Sequence, residues 1–174
     1  MDQQAEFFDI TVDGQAVTVR SGQPLPEALD AAGVYMPHLC YHPSLGPIQT
    51  CDTCFVHVDG NLVRGCGVIV KPGMEIGLDN ETARDARMEG INRVTANHEL
   101  YCSLCDNNNG NCDVHNTVRD MEVPGQAYEF RGKPYEKDYS NPFYIYDPDQ
   151  CILCGRCVEA CQNLQVNETL SIDW

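Results

Sequence analysis

Eleven cysteines fall into three tight groups along 174 residues, and thiolates grouped this closely bind soft metals. The most specific group is Cys151, Cys154, Cys157 and Cys161, spaced C-x2-C-x2-C-x3-C in CILCGRCVEAC. That is the bacterial ferredoxin run, in which three cysteines serve one [4Fe–4S] cube and the fourth ligates a second cluster in two-cluster proteins. A later motif should then complete the first cube, and none occurs before Trp174. Either Cys161 closes its own cluster, or the chain is the front part of something longer, which is the preferred reading. Gln162 stands where a proline usually follows the fourth cysteine.

A second set is His98, Cys102, Cys105 and Cys112, in the form H-x3-C-x2-C-x6-C. Between Cys105 and Cys112 the sequence DNNNGN tolerates left-handed backbone and can fold tightly around a cube. A neutral imidazole in place of one thiolate leaves such a [4Fe–4S] cluster less negative and shifts its potential upward. The third set is Cys40, Cys51, Cys54 and Cys66, spaced C-x10-C-x2-C-x11-C. Four thiolates wrap a [2Fe–2S] rhomb when one loop closes over it and a strand end brings the last ligand. Pro43, Gly46, Pro47, Gly65 and Gly67 suit a loop whose amides turn toward sulfur, and such hydrogen bonds raise the potential.

The rest of the composition narrows the alternatives. The amino terminus MDQQAE is acidic and has no leader-like apolar run. No stretch of about 18 apolar residues occurs, so no transmembrane segment is expected. An odd cysteine count fits a disulfide framework poorly, and reduced thiolates in a cytoplasmic protein are the better reading. The net charge of −15 argues against nucleic-acid binding; the scattered acids suit a solvated surface or steering toward a basic partner. Zinc is the competing metal, but a zinc ribbon wants two CxxC pairs about 15–20 residues apart, and Cys51/Cys54 and Cys102/Cys105 lie much further apart. His38, His42, His57 and His115 are expected to be structural, and Tyr128, Tyr135, Tyr139, Tyr144 and Tyr146 to pack rather than carry electrons. Arg156, between two ligands, either tunes a cluster through its charge or is solvated. No catalytic triad, phosphate loop or carboxylate pair stands out, so no catalytic centre is expected within these residues.

The elements that must position these ligands are short. Phe8, Ile10 and Val12 alternate with polar residues, Asp13-Gly14 makes the turn, and Val17 and Val19 resume the pattern, which predicts a hairpin. Pro26–Leu29 opens a short helix that Gly33 ends. A second hairpin runs from Phe55 through Asp59-Gly60 to Val63, with further strands expected at Val68–Val70 and Met74–Ile76. Strands around one helix give a small α+β domain ending near residue 80. Glu81–Asn97 is helical by periodicity, with Gly90 a weak point. A cysteine-rich loop follows from His98 to His115, then a Pro-, Gly- and Tyr-rich connector over 123–149 that is too aromatic to be a free linker. The domains expected are 1–80, 81–122 and 123–174.

At MPHLCYHPSLGPIQTCDTC, NHELYCSLCDNNNGNCDVHN and NPFYIYDPDQCILCGRCVEACQNLQ the chain resembles the amino-terminal part of formate dehydrogenase alpha subunits, the cytoplasmic molybdenum- or tungsten-dependent kind. The likeness covers essentially the whole chain. The same cluster order opens the large subunit of respiratory complex I and iron-only hydrogenases, where the gap matching Cys105 to Cys112 is typically one residue shorter. The resemblance implies a β-grasp [2Fe–2S] ferredoxin domain, a [4Fe–4S] domain with one histidine and three cysteine ligands, and the first part of a two-cluster ferredoxin domain. It implies one [2Fe–2S] and two [4Fe–4S] clusters here, with Cys161 serving a further [4Fe–4S] cluster. That cluster and a molybdenum or tungsten bis-pterin are expected only on missing sequence or another chain. The function implied is a one-electron relay between a catalytic molybdenum or tungsten domain or subunit and another redox subunit or carrier. Equivalent relays of an NADH dehydrogenase or iron-only hydrogenase, or a zinc-stabilised binding scaffold, are the alternatives.

Overall fold

A computed structural model of the protein describes residues 6–105, 107 and 109–172. The MDQQA start, Asp106 and Asn108 of the DNNNGN loop, and the last two residues lie outside the described residues.

Both Asp-Gly pairs make the turns their chemistry demands. Asp13 and Gly14 have φ of 45° and 80°, and Asp59 and Gly60 have 49° and 81°. Two consecutive positive φ values give the tight turn whose twist matches the flanking strands. The first turn joins β1 (Phe7–Val12) to β2 (Gln15–Arg20), and the second joins β3 (Phe55–Val58) to β4 (Asn61–Arg64). A short β5 (Glu75–Gly77) lies between the hairpins, parallel to β1 and antiparallel to β3, giving the order β2-β1-β5-β3-β4. Helix α1 (Leu25–Ala31) starts with Pro26 in its first turn and crosses this sheet. Its Leu25, Ala28 and Leu29 are buried with Ile10, Val12, Val19, Val56 and Ile76, the apolar positions of the period-2 pattern. This is the α+β, β-grasp arrangement. Val68–Val70 makes no strand: Ile69 is exposed and forms one isolated bridge to Pro24.

Helix α2 (Glu81–Thr95) is capped by Asn80, whose Oδ1 accepts from the Thr82 amide at 3.0 Å. It is fastened to the sheet by buried Arg87, which donates to the carbonyls of Phe55 and Leu78 at 2.8 and 2.7 Å. Gly90, expected to weaken the helix, is where α2 meets the first cysteine loop. A Cβ there would stand 2.7 Å from the backbone carbon and oxygen of Asp52. Gly→Ala inside a helix normally gains about 1 kcal/mol. At Gly90 the sign should reverse, because the obstacle is backbone: Gly90→Ala is expected to cost roughly 1–3 kcal/mol, read as a lower urea midpoint at equal iron content.

Two helices arise where the sequence reading had only loop. Helix α3 (Asp113–Asp120) follows directly on Cys112, and α4 (Arg156–Glu159) runs into one π-helical turn, Ala160–Leu164. Helix α3 helps build a second core of Leu39, Ile91, Val94 and Val114, against which Ile48, Val118 and Ile152 pack. Among the described residues no helix is long and apolar enough to cross a membrane.

Candidate iron–sulfur centre

All eleven cysteines are free thiols. The first set closes most tightly. Cys40, Cys51, Cys54 and Cys66 are each at most 4% exposed. They arrive from the loop after α1, from the turn before β3, and from the single 3-10 turn Gly65–Gly67 after β4. The Gly65 amide bonds the Cys54 carbonyl at 2.9 Å and locks the last two together. The sulfurs touch one another. Hydrogen bonds among them hold Cys40 and Cys54 below the usual thiol range and push Cys51 and Cys66 above it. Four thiols this close cannot all ionise without a shared positive partner, which is what two irons provide. The Cys40 amide and the Thr53 hydroxyl lie 3.4 and 3.1 Å from Cys51 Sγ. Between Cys51 and Cys54, buried Asp52 adopts left-handed φ of 59° and pairs with Arg64 of β4 and Arg93 of α2. The ion pair ties the ligand loop to both neighbouring elements.

The second set lines a cavity of about 160 Å³ formed with Tyr101, Gln150 and Ile152. His98, Cys102, Cys105 and Cys112 all face it, and the space exceeds what a single metal ion needs. Burial lowers the His98 pKa, keeping the imidazole neutral, as ligation requires. Its buried Nδ1 has no hydrogen-bond partner among the described residues, an orphan that a metal ligand bond resolves. Cys112 is the N-cap of α3, its sulfur accepting from the His115 amide at 3.5 Å, and a helix N-terminus favours thiolate. The donor set and the space fit a cube.

In the last set, Cys154 is pushed up by burial, with Cys157 and Cys151 close enough to add to the effect. Cys161 turns away. Its sulfur contacts Asn167 Oδ1 at 2.7 Å and accepts from the amides of Thr169 and Leu170 at 3.2 and 3.4 Å. Cys151 and Cys157 thus lie near Cys154, while Cys161 sits in a separate turn.

The three sets share one apolar body. Cys40, Cys51, Cys112 and Cys154 all belong to the second core. Two polar pins reinforce it: Thr50 Oγ1 donates to the Cys154 carbonyl at 2.9 Å, and Arg156 donates to the Tyr41 carbonyl and to Asp113 at 2.7 and 2.8 Å. Arg156 is therefore a cross-brace between the segments bearing Cys40, Cys112 and Cys157, not a solvated side chain. His38, His42 and His57 bond the Met36 carbonyl, the Ser44 amide and the Thr82 hydroxyl; His115 lines the second cavity. Tyr135, Tyr139, Tyr144 and Tyr146 are exposed rather than packed.

Residues 6–81 match the model of a 2Fe-2S iron-sulfur cluster binding domain, 87–127 that of the NADH-ubiquinone oxidoreductase-G iron-sulfur binding region, and 144–164 that of a 4Fe-4S binding domain. The chain is an iron–sulfur electron-transfer region. The region carries one [2Fe–2S] and two [4Fe–4S] binding units, in the order read from the cysteine spacing. It is 50% identical over 165 residues to "Probable oxidoreductase YjgC" of Bacillus subtilis, covering 95% of this chain and 17% of that protein. It is 48% identical over 169 residues to a "Putative formate dehydrogenase" of Staphylococcus haemolyticus, covering 97% of this chain and 17% of the relative. The iron–sulfur region therefore spans only a small share of the length of these curated relatives, which hold other domains besides. In three dimensions it matches a chain of a crystal structure of NAD+-reducing [NiFe]-hydrogenase in the H2-reduced state, with a TM-score of 0.81 and 29% identity over 96% of this chain and 70% of that one.

Proposed function

We propose that this region is the one-electron relay of a formate dehydrogenase-type oxidoreductase, working in the cytoplasm between a catalytic molybdenum or tungsten domain or subunit and another redox carrier. In this reading Cys40, Cys51, Cys54 and Cys66 hold the [2Fe–2S] cluster within residues 1–80. His98, Cys102, Cys105 and Cys112 hold a [4Fe–4S] cluster within 81–122. Cys151, Cys154 and Cys157 hold the next within 123–174, and Cys161 reaches toward a further one. When bound, such clusters supply reversible one-electron chemistry with little nuclear rearrangement.

The observation that carries the proposal is the shared core: one apolar body contains ligand cysteines from every set. Its side chains exclude water from between the sets and fix their separation. Amides and hydroxyls at Cys51 and Cys112, and the imidazole of His98, tune each station's potential. The formate link rests on the S. haemolyticus relative. A second reading, coupling to hydrogen or a nicotinamide, is favoured by the likeness to the NAD+-reducing hydrogenase. Anaerobic addition of formate, NADH or hydrogen to the whole enzyme that carries this chain separates them. Bleaching of the brown cluster absorption by formate supports the proposal; bleaching only by NADH or hydrogen overturns its formate assignment.

A further inference from the structure

The connector over residues 123–149 bears no cluster ligand, yet it wraps the segment that delivers His98. The last carbonyls of α2 accept from the amides of Ala96, Asn97 and His98, and the connector adds donors to Thr95 and to the carbonyls just beyond the helix. Gln126 Nε2 donates to the Thr95 carbonyl and, at 3.4 Å, to that of His98. The Arg131 amide donates to Ala96 at 2.7 Å, and Lys133 Nζ donates to Asn97. The same ammonium donates to the Cys151 carbonyl at 3.0 Å. Lys133 therefore bridges the residue before His98 and a ligand of the last set.

Its charge is otherwise little compensated. The nearby carboxylates are engaged elsewhere: Asp149 Oδ1 accepts the Lys133 amide at 2.8 Å, and Asp147 pairs with Lys137 at 2.7 Å. The Phe130 ring lies 5.7 Å from the ammonium. Among the described residues no carboxylate forms a salt bridge with Lys133, whereas Arg156, the other cation between ligand sets, is paired with Asp113. A half-buried ammonium without a counter-ion is costly unless it faces negative charge. Cluster–thiolate assemblies are net anions and become more so on reduction.

We propose that Lys133 is a positioning residue whose fixed positive charge, held between the second and third ligand sets, raises the reduction potentials of both [4Fe–4S] clusters together. This rests on the ligand assignments above. Removing the charge should disfavour reduction at both stations and leave the [2Fe–2S] station, whose ligands make no contact with Lys133, unmoved.

The test is an anaerobic redox titration of the whole enzyme followed by EPR, with iron counted for each variant. Lys133→Met is expected to lower both [4Fe–4S] midpoints, each by about tenfold in reduction equilibrium, or about 59 mV for a one-electron couple. Lys133→Arg should leave them near the parent values. A fully loaded K133M with unmoved potentials, or a K133R that shifts as far, overturns the proposal. If K133M loses iron, Lys133→Gln, which keeps a donor without the charge, decides. A loaded K133Q shifted downward supports the proposal, and a loaded, unshifted one overturns it. Assembly in K133R alone supports it, and iron loss from all three variants overturns it. Absence of the [4Fe–4S] signals from the parent enzyme would instead bring down the ligand assignments.

Discussion

Cys66→Ala is expected to lower the iron content of the enzyme by about two atoms per chain and to abolish the [2Fe–2S] EPR signal, with the [4Fe–4S] signals retained. Cys66 sits in the 3-10 turn after β4 and contacts the sulfurs of both Cys40 and Cys54. Its loss therefore takes a ligand from the centre of the group, and no other cysteine is buried nearby to replace it. The sheet should survive, since Ile10, Val12, Leu25, Leu29, Val56 and Ile76 anchor a core to which Cys54 and Cys66 contribute only a small share of the packing, and alanine keeps an apolar group at position 66. Circular dichroism should thus keep its strand signal while the visible absorption falls. The unfolding midpoint should also fall, because cluster binding free energy adds to folding free energy. Loss of every cluster from this variant would mean that the three units do not assemble separately.

His98→Ala should be more damaging, removing about four iron atoms per chain as the second cube is lost. The histidine stands just beyond α2, with its backbone held by the connector and its ring in the cavity shared with Cys102, Cys105 and Cys112. Alanine offers no ligand and enlarges a cavity already open on one side. His98→Cys should restore the iron. A thiolate adds negative charge where the imidazole had none, so the restored cluster should titrate at a lower potential, by on the order of 100 mV, judging from what histidine ligation does elsewhere. The [2Fe–2S] midpoint should not move. Retention of all iron and an unchanged spectrum in His98→Ala would remove His98 from the ligand set.

The parts of this architecture that were legible in the sequence are those governed by local chemistry. The two Asp-Gly turns, the alternation of Phe8, Ile10 and Val12, and the helix opening at Pro26 each act within a few residues of themselves. The spacing of Cys151, Cys154 and Cys157 is equally local. Helix α3 was missed because its cap is Cys112, a residue read as a ligand, and its eight residues offer only Val114 and Val118, an i,i+4 pair too short to read as a period. Val68–Val70 reads as a strand by composition, but the 3-10 turn just before it and a single bridge at Ile69 leave it no ladder. Gly90, Arg156 and Lys133 could not be assigned from one sequence. Their roles depend on Asp52, Tyr41 and Cys151, partners 18 to 115 positions away.

The most direct test of the relay is metal and sulfide analysis of the anaerobically purified whole enzyme that carries this chain, read together with EPR on stepwise reduction. The account predicts brown protein with at least about ten iron atoms and about ten acid-labile sulfides per enzyme chain, and one [2Fe–2S] and at least two [4Fe–4S] signals. Colourless protein holding zinc without sulfide, or cystines in place of free thiols, would contradict it.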